Sequence, residues 1–135
     1  MARSVLVVDD NTVIRQGLCR LFASEADFEI CGEAENGREA IEKAQQLQPD
    51  LIVLDISMPV MNGLEAARVL KRLRPTVPII MFSAFINKFI EKEVQSAGAF
   101  ALVSKSEPMS VVVDKARAAV CTTKVANRPS PFPNS

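Results

Sequence analysis

The chain has 135 residues, 48% hydrophobic and 24% charged, and its 16 basic and 16 acidic side chains give a formal net charge of +0. That length suits one domain with a real core, and the charge balance argues against a general nucleic-acid or membrane-surface binder, which would carry a basic excess. The chain contains no histidine, which removes Ser-His-Asp and Cys-His catalysis and zinc sites built on imidazole.

Cys19, Cys31 and Cys121 are scattered, odd in number and form no CxxC. This is the usage of a reduced cytosolic protein. The apolar run after Met1-Ala2-Arg3-Ser4 is too short for a signal-peptide core. No apolar segment approaches the roughly 20 residues of a membrane span. The expectation is a cytoplasmic protein that engages neither membrane nor nucleic acid directly.

Val5-Leu6-Val7-Val8 is an unbroken apolar run, as in a strand buried on both faces. It leads into Asp9-Asp10, and Asn11 follows as a helix N-cap. Val13, Ile14, Gly17, Leu18, Leu21 and Phe22 recur at helical spacing, predicting a helix over about 12–24. From Phe28 to Ala34 apolar and polar residues alternate, with Phe28, Ile30 and Ala34 on one face. Alternation implies one wet side, hence an edge strand. Asn36-Gly37 is a turn, and Ala40, Ile41, Ala44 and Leu47 form the next helical stripe, stopped by Pro49.

Leu51-Ile52-Val53-Leu54-Asp55 is a second fully apolar run, ending abruptly on a carboxylate. Pro59 and the Asn62-Gly63 turn follow. Leu64, Ala67, Leu70 and Leu73 predict a third helix, and Pro78 to Phe82 a fourth strand that ends at Ser83-Ala84. Ile86, Phe89, Ile90 and Val94 suggest a helix closing at Gly98. Phe100 to Val103 is a short fifth strand, followed by Lys105 and a last helix from Pro108 to about Val120. Val111-Val112-Val113 is a poor helix former by propensity. The tail, 121–135, carries Pro129, Pro131 and Pro133 without periodicity, and reads as disordered or loosely packed. The folded unit is thus 1–120.

Strand and helix alternate throughout, which gives a parallel sheet with helices on both faces. All strand ends of one sense then point to one side. Asp9, Asp10, Asp55, Ser83 and Lys105 should converge in one cleft there, where open α/β sheets bind ligands. Crowded carboxylates repel, and a hard divalent cation removes that conflict. Mg²⁺ suits one or two carboxylates plus retained waters. The expected ligands are Asp10 and Asp55 directly, Asp9 through water, and the Ser57 backbone carbonyl. Asp55 is read as a nucleophile accepting a phosphoryl group, with Lys105 on one phosphoryl oxygen and the Ser83 hydroxyl on another.

Val-Leu-Val-Val-Asp-Asp, Leu-Ile-Val-Leu-Asp-Ile-Ser-Met-Pro-Val-Met-Asn-Gly, Ile-Ile-Met-Phe-Ser-Ala and Gly-Ala-Phe-Ala-Leu-Val-Ser-Lys together resemble the receiver domain of two-component response regulators. The resemblance covers about 3–120. The segment at 32–40 is similar to receivers of the LuxR/NarL group of DNA-binding regulators. The resemblance implies a doubly wound, flavodoxin-like five-stranded sheet in the order 2-1-3-4-5. It implies Asp55 as phosphoacceptor, Asp9 and Asp10 as the acidic pair for Mg²⁺, Ser83 as the hydroxyl switch residue and Lys105 as the phosphate-sensing lysine. The phosphodonor would be a histidine kinase or histidine phosphotransfer protein, in keeping with a chain that has no histidine. Homodimers through the fourth helix, fifth strand and fifth helix are common in such proteins.

One departure stands out: the aromatic usual three residues before the lysine is Leu102 here, and Phe100 lies on the same strand face by period-two counting. Phe85, two residues beyond Ser83, is either helix core or an exposed ring that shields an acyl phosphate or contacts a partner. Two rival readings make different demands on the same residues. An aspartyl phosphatase would need a second carboxylate two residues after the nucleophile, where Ser57 stands, and a cap for substrate. A binding module with a vestigial, unphosphorylated pocket has to explain the intact acidic set. No output domain is expected after Val120, so the chain reads as a stand-alone receiver or a piece of a larger regulator.

Overall fold

The computed structural model describes residues 2–122; the expectation for the tail beyond Thr122 lies outside them. Ten elements alternate. They are β1 Arg3–Val8, α1 Thr12–Ala23, β2 Phe28–Ala34, α2 Gly37–Leu47, β3 Leu51–Asp55, α3 Gly63–Leu73, β4 Ile79–Ser83, α4 Lys88–Ser96, β5 Ala101–Ser104 and α5 Ser110–Thr122. The five strands pair in parallel in the order β2-β1-β3-β4-β5, as the resemblance implies. None of these helices is long and apolar enough to cross a membrane.

The unbroken apolar runs follow from burial on both faces. Leu6, Val8, Ile52, Leu54, Ile79, Met81 and Leu102 pack with Ala40, Ala44, Ala67, Leu70 and Val94 of α2, α3 and α4. Val5, Val7, Leu51, Val53, Ile80, Phe82 and Val103 pack with Leu18, Phe22, Val112 and Ala116 of α1 and α5. Each such large side chain stabilises the fold by about 1.5–3 kcal/mol on burial. The valine run of α5 is helical because Val112 and Val113 are buried against the sheet; packing outweighs weak propensity.

Two face assignments are corrected. Strand β2 carries a bulge: Val5 pairs with Ile30 but Leu6 pairs with Gly32. The extra residue shifts the side-chain phase. Phe28 and Ile30 therefore join the α1/α5 layer, whereas Ala34 joins the α2/α3/α4 layer. Phe100 precedes β5 and packs in the α1/α5 layer, opposite Leu102. It does not stand in for the missing aromatic. Of the helical stripes, Val13, Leu47, Leu73 and Phe89 are exposed at helix ends rather than buried.

Helices begin sharply. Asn11, Asn36, Asn62 and Asn87 each cap a helix, their side chains accepting from the backbone N–H three residues on. Gly63 is required by close approach: a Cβ there would lie 2.0 Å from the Asp55 carbonyl oxygen. Its N–H donates to the Ile56 carbonyl at 2.7 Å, so α3 starts directly against the end of β3.

Candidate functional site

Strand β3 is the centre of the sheet, and Asp55 is its last residue, 3% exposed. Asp9 follows the neighbouring strand β1 and is also buried; Asp10, next in the chain, is exposed. One carboxylate oxygen from each of Asp9, Asp10 and Asp55 lies within 4.8 Å of the others. Lys105 enters from just past β5, at the sheet edge. Its ammonium lies 3.0 Å from Asp9 Oδ2 and 3.1 Å from Asp55 Oδ1. The same ammonium lies 5.7 Å from the ring centroid of Phe82 on β4, and Phe82 is the register partner of Asp55.

Burial, reinforced by the nearby Asp9 carboxylate, pushes Asp55 above the usual carboxylate range to about 6, against the pull of Lys105. Burial works against the charge on Lys105, but its contacts with Asp9 and Asp55 outweigh that and hold it above the ordinary lysine value. The site is thus a cluster of carboxylates short of positive charge.

Asp9 is held on three sides. Its N–H donates to Ala34 O at 3.1 Å, its Oδ1 accepts from Asn11 N at 2.9 Å, and its carbonyl accepts from Arg15 Nη1 at 2.7 Å. The fourth polar atom, Oδ2, is buried and accepts no hydrogen bond. The Lys105 ammonium, 3.0 Å away, pairs with it by charge. Three carboxylates gathered around a single ammonium fit a further cation, and the all-oxygen donor set fits a hard one.

Ser83 ends β4 and is buried. Its carbonyl accepts from Lys105 N at 2.8 Å, which ties the β4 and β5 ends together. Its hydroxyl is engaged in the loop: Oγ donates to Phe85 O at 2.8 Å and accepts from Phe85 N at 3.2 Å. So Ser83 stands at the right end of the sheet with its hydroxyl turned to the β4–α4 loop. Ser57 is exposed in the loop after β3. In that loop Val60 has φ of 69°, a left-handed conformation that strains a β-branched residue.

The helix-core reading of Phe85 is overturned: it lies in the loop before α4 and is 67% exposed. Val13 and Val60, in segments that follow β1 and β3, are also exposed. Sequence reasoning passed over Arg15, a buried cation on α1. Its signal was its position, one turn after the Asn11 cap and on the chain that has just left Asp9-Asp10.

A family model described as the response regulator receiver domain matches residues 5–117. The chain belongs to that family. The chemotaxis protein CheY of Thermotoga maritima is 39% identical over 114 residues, covering 84% of this chain and 94% of that protein. A protein-glutamate methylesterase/protein-glutamine glutaminase of Nocardioides sp. is 41% identical over 107 residues, 79% of this chain but 29% of that protein. The chain thus spans about three-tenths of the length of such methylesterase relatives. Among solved structures, a LuxR-family two-component response regulator from Aurantimonas sp. superposes with a TM-score of 0.85 at 25% identity, covering 90% of this chain and 86% of that one.

Proposed function

We propose that this receiver is a phosphoacceptor: a phosphoryl group passes from a phosphohistidine on a histidine kinase or phosphotransfer protein to Asp55, and the β4–α4 loop reports the change. The supporting observation is the placement of Asp55 at the end of the central strand, beside Lys105 and within 4.8 Å of two further carboxylates. One Asp55 carboxylate oxygen attacks phosphorus and forms the new P–O bond. The P–N bond of the donor breaks, and the released imidazole keeps the electron pair and takes up a proton. Attack needs the ionised carboxylate, which burial and Asp9 disfavour in the metal-free site and a bound cation would favour.

Asp9, Asp10 and Asp55, with the Ser57 carbonyl, would hold Mg²⁺. When bound, the ion neutralises the crowded carboxylates and the phosphoryl oxygens. Lys105 then has a phosphoryl oxygen to pair with in place of Asp55 Oδ1. The Ser83 hydroxyl can donate to another only by giving up Phe85 O. That exchange links phosphorylation to the loop without an aromatic at Leu102. The protein catalyses only its own gain and loss of phosphate. It acts in the cytoplasm through protein contacts made by the receiver unit at 1–120.

Incubation of the full chain with acetyl phosphate and Mg²⁺, followed by intact mass, tests this. A single phosphate adduct that is absent in Asp55→Asn is expected. No adduct in the wild-type chain would favour the vestigial module, and steady turnover of unrelated phosphomonoesters the phosphatase.

A further inference from the structure

Arg15 is 8% exposed, an expensive place for a permanent cation unless every face of it is used. Its guanidinium makes three contacts. Nη1 donates to the Asp9 carbonyl at 2.7 Å, Nε donates to Glu33 Oε1 at 2.9 Å, and Nη2 lies 3.6 Å from Glu35 Oε1. Glu33 belongs to β2, and its own carbonyl accepts from Lys43 of α2. The head of Arg15 is therefore fixed from the ends of two strands, β1 and β2, and its fully buried hydrogen bond is the one to the backbone of Asp9.

We infer that Arg15 is a positioning residue for the metal-binding carboxylate of Asp9. Asp9 is where β1 stops and α1 has not yet begun. Its carbonyl has left the ladder and needs a donor. Arg15 supplies it, while Asn11 N takes Oδ1 and Ala34 O takes the N–H. With those three atoms satisfied, Oδ2 is the one Asp9 acceptor without a hydrogen bond, and it faces the Lys105 ammonium at 3.0 Å in the cluster with Asp10 and Asp55. The planar fork matters: a lysine carries the charge but cannot hold Asp9 O and Glu33 together at fixed angles. Residues that orient a metal ligand typically carry 10–100-fold in metal affinity. This inference rests on the proposal that the acidic cluster binds Mg²⁺.

The test is calorimetric titration of the full chain with Mg²⁺, alongside acetyl phosphate labelling of Asp55. Arg15→Met, Arg15→Lys and Glu33→Gln are compared with wild type, each checked for folding by circular dichroism. Arg15→Met should bind Mg²⁺ about 10–100-fold more weakly. Arg15→Lys should recover part of that loss, and Glu33→Gln should shift affinity the same way by less. Labelling should fall at limiting Mg²⁺ and return toward the wild-type rate at saturation. Folded variants that bind Mg²⁺ as wild type does, whatever their stability, would reduce Arg15 to a tie between α1 and β2 and overturn the inference. A labelling defect that persists at saturating Mg²⁺ with affinity unchanged would overturn it too. Should Arg15→Met fail to fold, the other two variants decide. Wild-type protein that binds no Mg²⁺ would instead sink the phosphoacceptor reading beneath it.

Discussion

At the scale of single residues, the site is a conflict of like charges held in place by the fold. Asp55 titrates near 6 because burial and Asp9 disfavour its charge. Its folded value therefore lies above its unfolded value of roughly 3.9. The folded state holds that proton more tightly, so this group's contribution to stability is full below about pH 4 and is lost as pH rises through about 6. Metal-free protein should lose stability over that window on account of Asp55. Asp55→Asn removes the titrating group, and in chelator at pH 8 it should be more stable than wild type, on the order of 2 kcal/mol. Urea unfolding at pH 4 and pH 8 checks this, and a variant no more stable than wild type at pH 8 would contradict it. Lys105→Ala works the other way. It leaves two buried carboxylates without their shared cation, so the metal-free protein should be destabilised at pH 8. Asp55 should still accept some phosphate from acetyl phosphate, but the response of the β4–α4 loop, followed by amide exchange, should be blunted.

At the scale of elements, the strand ends and helix starts do the positioning. Gly63→Ala would drive a Cβ into the Asp55 carbonyl, a backbone group with no flexible side chain to yield. A loss of more than about 3 kcal/mol is expected, read by denaturant unfolding. Asn62→Ala, which removes the capping box with Glu65 at the start of the same helix, should cost about 0.5–2 kcal/mol. In the loop after β4, Phe85 is exposed near the site and its backbone holds the Ser83 hydroxyl. If the ring shields the acyl phosphate, Phe85→Ser should shorten the half-life of phospho-Asp55, measured by loss of label; an equal half-life removes the shielding role. These elements were readable in the sequence to different degrees. Val5–Val8 and Leu51–Leu54 stood out because strands buried on both faces are apolar without interruption. Asn11 marked a helix start by local chemistry, whereas the two Asn-Gly pairs read as turns and prove to be helix caps as well. The bulge in β2 was not readable, because it exists only in the pairing with β1, and it moved Ala34 to the other core layer. Phe100 changed face because β5 begins one residue later than expected. Arg15 went unnoticed for a related reason: a cation on a helix reads as solvent-facing until the carbonyl of Asp9 and the carboxylate of Glu33 are brought to it by the fold.

At the scale of the whole molecule, the parallel sheet separates a chemical end from a structural one. Asp9, Asp55 and Lys105 are far apart in sequence and meet only when β1, β3 and β5 are in register at their carboxyl ends. At the opposite end, Arg117 of α5 pairs with Asp27 and Glu25 just before β2 and lies 5.7 Å from the Phe28 ring centroid. Ser4 there binds the Asp50 side chain, joining the starts of β1 and β3. A cation that binds the assembled cluster binds the folded state and not the unfolded one, so it stabilises the whole domain by mass action. That increment is about 2.7 kcal/mol when Mg²⁺ is 100 times its dissociation constant. Among the described residues, Arg117 and Lys105 pair with different carboxylates at the two ends, so their effects should add. Arg117→Ala should lower the melting temperature modestly in chelator, yet keep the full rise on adding saturating Mg²⁺. Asp55→Asn should start higher in chelator and lose much of that rise. Thermal unfolding of wild type and both variants, with and without Mg²⁺ at pH 8, separates these effects. An increment that shrinks in Arg117→Ala as much as in Asp55→Asn would mean that the two ends of the sheet are coupled through the core rather than independent.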